Sequence, residues 1–198
     1  GILCIEFPSR VSNFEPLIGS GVAVAHPYRF DGRLWMLADG KVRQGVYDRT
    51  GRLTSFPVDT PPERYAFALS VAGGRLIAGT NRGAYYRSAE GWVLFAPEQV
   101  NLRILEPVPV NGRWLYASQG EVGWLKPEPG GFALTATAAP GLDNLYNSET
   151  DADGSVWIEM GNGRLARLVR EGERLSVEIL GRENGIPEGW AQLFKLEG

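Results

Sequence analysis

Hydrophobic residues along the chain come in short bursts, each closed by a polar pair that carries glycine. Residues 153–168, DGSVWIEMGNGRLARL, show the unit: a turn, an apolar run with a tryptophan, a second glycine turn, another apolar run. The turn and strand recur as Asp31-Gly-Arg-Leu-Trp-Met-Leu, Gly74-Arg-Leu-Ile-Ala-Gly-Thr, Asn111-Gly-Arg-Trp-Leu-Tyr-Ala and Asp153-Gly-Ser-Val-Trp-Ile-Glu. Their glycines, Gly32, Gly74, Gly112 and Gly154, stand 42, 38 and 42 residues apart. A period of about 40 residues with about four strands each is the signature of propeller blades. Asn-Gly, Asp-Gly and Gly-Gly supply the positive φ of tight hairpins, and no longer segment keeps a helical period.

Each period has one internal order. First strands are expected at Gly21–His26, Tyr65–Val71, Arg103–Val110 and Tyr146–Asp151, and the motif strand follows. Third strands are expected at Gly45–Asp48, Gly83–Arg87, Val122–Lys126 and Arg164–Arg170. Fourth strands are expected at Leu53–Val58, Trp92–Ala96, Phe132–Thr137 and Leu175–Leu180. The predicted fold class is all-β, a propeller or propeller fragment of four-stranded antiparallel blades with about five repeats. The units are blades at 19–59, 60–99, 100–140 and 141–181, a partial blade at 1–18 and a lone first strand in 182–198. Stopping where the motif demands another strand would leave an edge unpaired, so a piece cut from a longer propeller is expected, with self-association through open end blades as a consequence.

The last repeat, Asp153-Gly-Ser-Val-Trp-Ile, then Gly163-Arg-Leu-Ala-Arg-Leu, then Asn184-Gly-Ile-Pro-Glu-Gly-Trp, resembles the two-component regulator propeller repeat. The first repeat matches next best. The second and third carry Ile77 and Leu115 at the tryptophan position, and the second keeps the Gly79-Thr80 pair. The resemblance implies the periplasmic or extracellular sensory region of a histidine kinase or related regulator, attached to the rest of a parent sensor protein. Relatives of that kind commonly respond to carbohydrate fragments.

Charge narrows the partners. Twenty basic and 23 acidic residues are spread evenly for a net charge of −3, which argues against nucleic acid or an anionic membrane surface. No apolar run is long enough to span a membrane, and no signal peptide is evident. The single cysteine, Cys4, reads as a small buried hydrophobe, and His26, the single histidine, removes two-histidine metal sites and most Ser-His-Asp arrangements. Asp151-Ala-Asp153-Gly154 opens like a calcium loop, but position twelve is Asn162 and an apolar strand interrupts the ligand spacing, so a β-turn is expected. No cofactor and no metal are expected.

Function must come from a site, since the fold carries no chemistry of its own. Gly32, Trp35, Gly74, Gly112, Gly154 and Trp157 occupy repeated positions and read as scaffold. Ligands are expected at the face formed by the connections between blades and the turns after each second strand. There Arg64, Tyr65, Arg82, Asn144, Tyr146, Asn147 and Trp190 offer aromatic faces, amides and guanidinium groups suited to a sugar. The acids are scattered without a constellation, so no catalytic residue is assigned and the chain is expected not to be an enzyme. The expected function is sensing a small molecule such as an oligosaccharide. The alternatives are a protein-interaction propeller with no small ligand, or a propeller-fold glycoside hydrolase or lyase requiring two converging carboxylates.

Overall fold

The structure is a computed structural model that describes residues 17, 25–62, 65–106, 109–139, 141–172, 174–187, 189 and 193. Cys4, most of the units expected at 1–18 and 182–198, Arg64 and Trp190 lie outside the described residues. Two compact units divide the chain at residue 59, and each is described by itself.

In the first unit, β1 (Ala25–Phe30), β2 (Arg33–Ala38) and β3 (Lys41–Gln44) form one antiparallel sheet, and β4 (Val46–Tyr47) pairs with β5 (Leu53–Ser55). Asp31 and Gly32, at φ 49° and 68°, make a two-residue turn that sets Phe30 opposite Arg33. With only two loop residues, pairing begins at Phe30 and runs back to Ala25, so the strand reaches beyond the expected end at His26; residues 21–24 of the expected strand lie outside the described residues. The third strand likewise starts at Lys41, directly after the Asp39-Gly40 turn, and breaks at Gly45, where strand 45–48 was expected to begin. The Gly45 N–H donates to the Leu34 carbonyl at 2.7 Å, and a side chain there would meet that oxygen at 2.9 Å. Met36, Ala38 and Phe56 form the core of this unit, and Trp35 is buried.

The second unit holds three four-stranded antiparallel sheets in chain order. They are β6 (Ala66–Ala72), β7 (Arg75–Thr80), β8 (Gly83–Ser88) and β9 (Gly91–Ala96); then β10 (Arg103–Ile104), β11 (Trp114–Ser118), β12 (Glu121–Glu128) and β13 (Gly131–Ala138); then β14 (Ser148–Thr150), β15 (Val156–Glu159), β16 (Leu165–Glu171) and β17 (Arg174–Leu180). Repeated four-stranded antiparallel sheets of this kind are a propeller-like architecture. The middle sheet shows how neighbours stack. Tyr116 and Leu125 share a core with Ile77, Ala84 and Tyr86 of the sheet before. Leu115, Ala117, Val122 and Trp124 share another with Val156, Ile158, Ala166 and Leu168 of the sheet after. Alternation along one strand therefore serves two interfaces, which is why its residues read as almost continuously apolar. Ile77 and Leu115, at the motif's tryptophan position, each face the following sheet. Tyr116 is buried and donates its hydroxyl to the Glu121 carboxylate, and burial pushes its phenol above the ordinary range.

The connections between sheets are stitched to both neighbours. Asn101 donates its N–H to the Thr80 carbonyl at 2.9 Å, and the Val100 carbonyl accepts from Gln119 at 3.1 Å. The Leu142 carbonyl accepts from Gly120 at 3.0 Å, and the Asn144 carbonyl from Gly161 at 3.1 Å. At the other ends of the strands, Arg75 donates to the Gly131 carbonyl and Tyr86 to the Gly130 carbonyl, fixing the β12–β13 turn on the preceding sheet.

The Asp153-Gly154 turn differs from its counterparts. Thr150 pairs with Val156, leaving a five-residue loop in place of a two-residue turn. The Asp153 carboxylate accepts from the Ser155 hydroxyl and N–H, and Arg167 donates to it at 2.7 Å; these contacts hold the carboxyl below its usual range. Arg167 also lies over the half-buried Trp157 ring, 5.6 Å from its centre.

Candidate functional site

The second and third strands of the last sheet are joined differently from those of the others. Asn81-Arg82 is a two-residue turn, closed by the Thr80 hydroxyl donating to the Gly83 carbonyl at 2.8 Å. In the last sheet the link is a 3-10 turn at Gly161–Gly163 with Asn162 in the left-handed region at φ 61°. Both glycines are required by close approach. A side chain at Gly161 would meet Asn144 Cβ at 2.9 Å, and one at Gly163 would meet the Gly189 carbonyl at 2.4 Å. The Asn144 loop therefore seats on one side of the turn, and Pro187 and Gly189 on the other.

Between them lies a cavity of about 410 Å³. Asn144, Tyr146 and Asn162 bring polar groups to it, with Met160, Gly161, Gly163 and Gly189 completing the walls. This volume falls within the range of small-molecule sites. Asp143, beside Asn144, forms an ion pair with Arg164 that fastens the loop to the start of β16.

One buried carboxylate stands next in sequence to the lining residue Met160 without being part of the lining, and sequence reasoning missed it. Glu159 precedes the lining residue Met160 and is only 6% exposed. The Tyr146 N–H donates to its carbonyl at 2.9 Å, and its own N–H donates to the Asn147 carbonyl at 2.8 Å, so both residues stand opposite it as at a β-bulge. Burial raises its pKa above the usual carboxylate value; a hydrogen bond from the Leu193 N–H and the positive charge of Arg103 act in the opposite direction. The signal lay in the repeat. Counted from the turn glycines, Glu159 stands where the other copies place Leu37, Gly79 and Ala117, the glycine of the Gly-Thr pair.

Among the residues expected to bind ligand, Asn144 and Tyr146 line the cavity; Asn147 is not part of the lining and stands opposite Glu159. Tyr65 and Arg82 belong to the first of the three sheets and are not part of the lining. Tyr65 is 50% exposed and packs on Phe67 with ring centres 5.2 Å apart, and the Arg82 N–H donates to the Thr80 hydroxyl.

No protein-family profile matches the chain, and no curated protein matches it by sequence. Solved structures do match in fold. A streptogramin B lyase aligns with TM-score 0.51 and 18% identity, over 82% of this chain and 57% of that one. A catalytically inactive virginiamycin B lyase from Staphylococcus aureus, solved with quinupristin, aligns with TM-score 0.52 and 12% identity, over 86% of this chain and 60% of that one. The extracellular domain of a hybrid two-component system from B. thetaiotaomicron aligns with TM-score 0.55 and 12% identity, over 80% of this chain and 22% of that one. This chain thus spans little more than half the length of the two lyases. The expectation that the chain is not an enzyme is corrected by these matches: two of the structures sharing its fold are lyases. Scattered acids in a sequence say nothing about which of them a fold buries, and Glu159 is buried. At these identities the chain shares with lyases and with a two-component extracellular domain an all-β, propeller-like fold.

Proposed function

We propose that the cavity between the Asn144–Tyr146 loop and the Gly161–Gly163 turn binds a small polar molecule, and that Glu159 accepts a proton from it in a lyase-type reaction. The observation that carries this reading is a buried carboxylate of raised proton affinity on the residue that precedes Met160 of the cavity lining and pairs through its backbone with Tyr146 of that lining. Elimination needs a base whose pKa lies closer to neutrality than a free carboxylate's, and donors for the charge that develops as the proton leaves. Glu159 meets the first need. Asn144, Asn162 and the Tyr146 hydroxyl are donors suited to the second. The base takes the proton, its bonding pair forms the new double bond, and the leaving group departs with the electrons of the broken bond. Two lyases with this fold support the reading.

The test is affinity selection against a metabolite and oligosaccharide collection that includes quinupristin, followed by mass spectrometry of the products. Binding mapped by NMR to Asn144, Tyr146 and Gly161–Gly163, with cleavage that adds no water and stops in Glu159→Gln, is the expected result. Binding elsewhere, or cleavage undiminished in Glu159→Gln, overturns it.

A sensory role of the same site is the second reading, favoured by the fold shared with the two-component extracellular domain. In it, occupancy by an oligosaccharide is reported to an attached kinase or regulator from outside the cytoplasm. Tyr65, Arg82 and Asn147 would then add contact surface beyond the cavity, Arg64 and Trp190 remain candidates by sequence position alone, and end sheets left open would be covered by the parent protein or by another copy.

A further inference from the structure

We propose that Arg103, on the neighbouring sheet, is the positioning residue of this site: its guanidinium fixes the Tyr146 wall of the cavity and joins it to the strand carrying Phe67. The proposal rests on the site assigned above but not on the reaction assigned to it.

Arg103 begins β10 and sends its three nitrogens to three different segments. Nε donates to the Asn101 side-chain oxygen at 3.2 Å, one terminal nitrogen to the Tyr146 carbonyl, and the other to the Phe67 carbonyl at 2.9 Å. Phe67 belongs to the sheet before and Tyr146 leads into the sheet after, so one planar fork spans three successive sheets. Asn101 completes the grip. Held at φ 56° and buried, it donates its side-chain amide to the Leu145 carbonyl at 2.9 Å and its N–H to the Thr80 carbonyl. Two consecutive carbonyls, those of Leu145 and of the wall residue Tyr146, are therefore held from the adjacent sheet.

Three exposed rings stand on the segments that this fork gathers. Tyr146 is 41% exposed and Phe67 39%, and Tyr65 packs on Phe67. Tyr146 lies 79 residues beyond Phe67 in sequence. A guanidinium can hold two carbonyls in one plane, and an ammonium cannot reproduce that geometry. Its charge also acts on Glu159, alongside the Leu193 N–H.

The test needs no ligand. Glutamate carboxylates labelled with carbon-13 are titrated by NMR in the parent, Arg103→Gln and Arg103→Lys, with Glu159→Gln assigning the signal, and Tyr146 ring signals are followed in the same samples. In Arg103→Gln the Glu159 midpoint is expected to move up, because an opposing charge is lost. In Arg103→Lys the midpoint stays near the parent value while the Tyr146 signals shift, because charge remains and the fork does not. Should Arg103→Gln fail to fold, Arg103→Lys decides alone: unmoved Tyr146 signals overturn the proposal. A folded Arg103→Gln with the parent midpoint and parent Tyr146 signals also overturns it. Neither result depends on turnover, so failure here is distinguishable from failure of the lyase reading.

Discussion

Gly79 and Glu159 occupy the same register position in two sheets of one unit, and they have opposite surroundings. At Gly79 the following connection closes onto the strand: a side chain there would meet the Leu102 carbonyl at 2.1 Å and the Leu102 nitrogen at 2.8 Å. At Glu159 a carboxylate takes that place, and the following segment meets it through the Leu193 N–H. The turn after Gly79 is closed by Thr80, whereas the turn after Glu159 is a Gly-Asn-Gly arch that borders a cavity. The comparison teaches that the repeat supplies a scaffold position, and that replacing glycine with a charged residue there converts a packing contact into a candidate site.

The largest effect should come from forcing one copy to imitate the other. Gly79→Glu places a side chain where the Leu102 backbone already lies, and the sheet interface must open to admit it. A loss of at least about 3 kcal/mol is expected in urea denaturation, at the upper end for overpacking. A stable Gly79→Glu protein would mean that the connection at Leu102 yields easily and that the two copies are not so different. A smaller change tests the closed turn: Thr80→Val removes a hydroxyl that donates to Gly83 and accepts from Arg82 in a buried place. It should cost about 1–3 kcal/mol, read from the same denaturation, with the last sheet's amide signals unmoved.

The smallest effect is a slope. The Glu159 pKa is raised on folding, so the folded chain holds that proton more tightly than the unfolded one. Its contribution is fully present below the ordinary glutamate value of about 4.3 and is lost as pH rises through the raised folded value. Melting temperature should therefore fall slightly over that window as pH rises, and Glu159→Gln should flatten the fall. An unchanged slope in Glu159→Gln would show that the carboxylate is not desolvated in solution, which would remove the distinction from Gly79.

Much of the fold is legible in local chemistry. Asp31-Gly32 and Asn111-Gly112 sit at positive φ in two-residue turns because few other pairs tolerate that conformation, so they mark hairpins from sequence alone. Strand ends were less legible. Asp153-Gly154 looks like the same turn but closes a five-residue loop, since the Asp153 carboxylate caps Ser155 and extends it. Of the site, Asn144 and Tyr146 were readable as polar and aromatic residues on a connection between sheets. Glu159 was not, because it ends a strand and burial is set by what packs over it.

The sequence by itself determined the repeat, the turns and the all-β, propeller-like class, because each depends on residues a few positions apart and on backbone preferences they carry with them. Tertiary structure alone decided that Arg103 holds Phe67 and Tyr146 together, that Gly163 is needed for Gly189, and that the Glu159 carboxylate is buried. Those outcomes depend on the stacking of one sheet against the next. Stacking brings together groups that no local spacing relates, and it excludes water from some charges while leaving their chemical equals exposed.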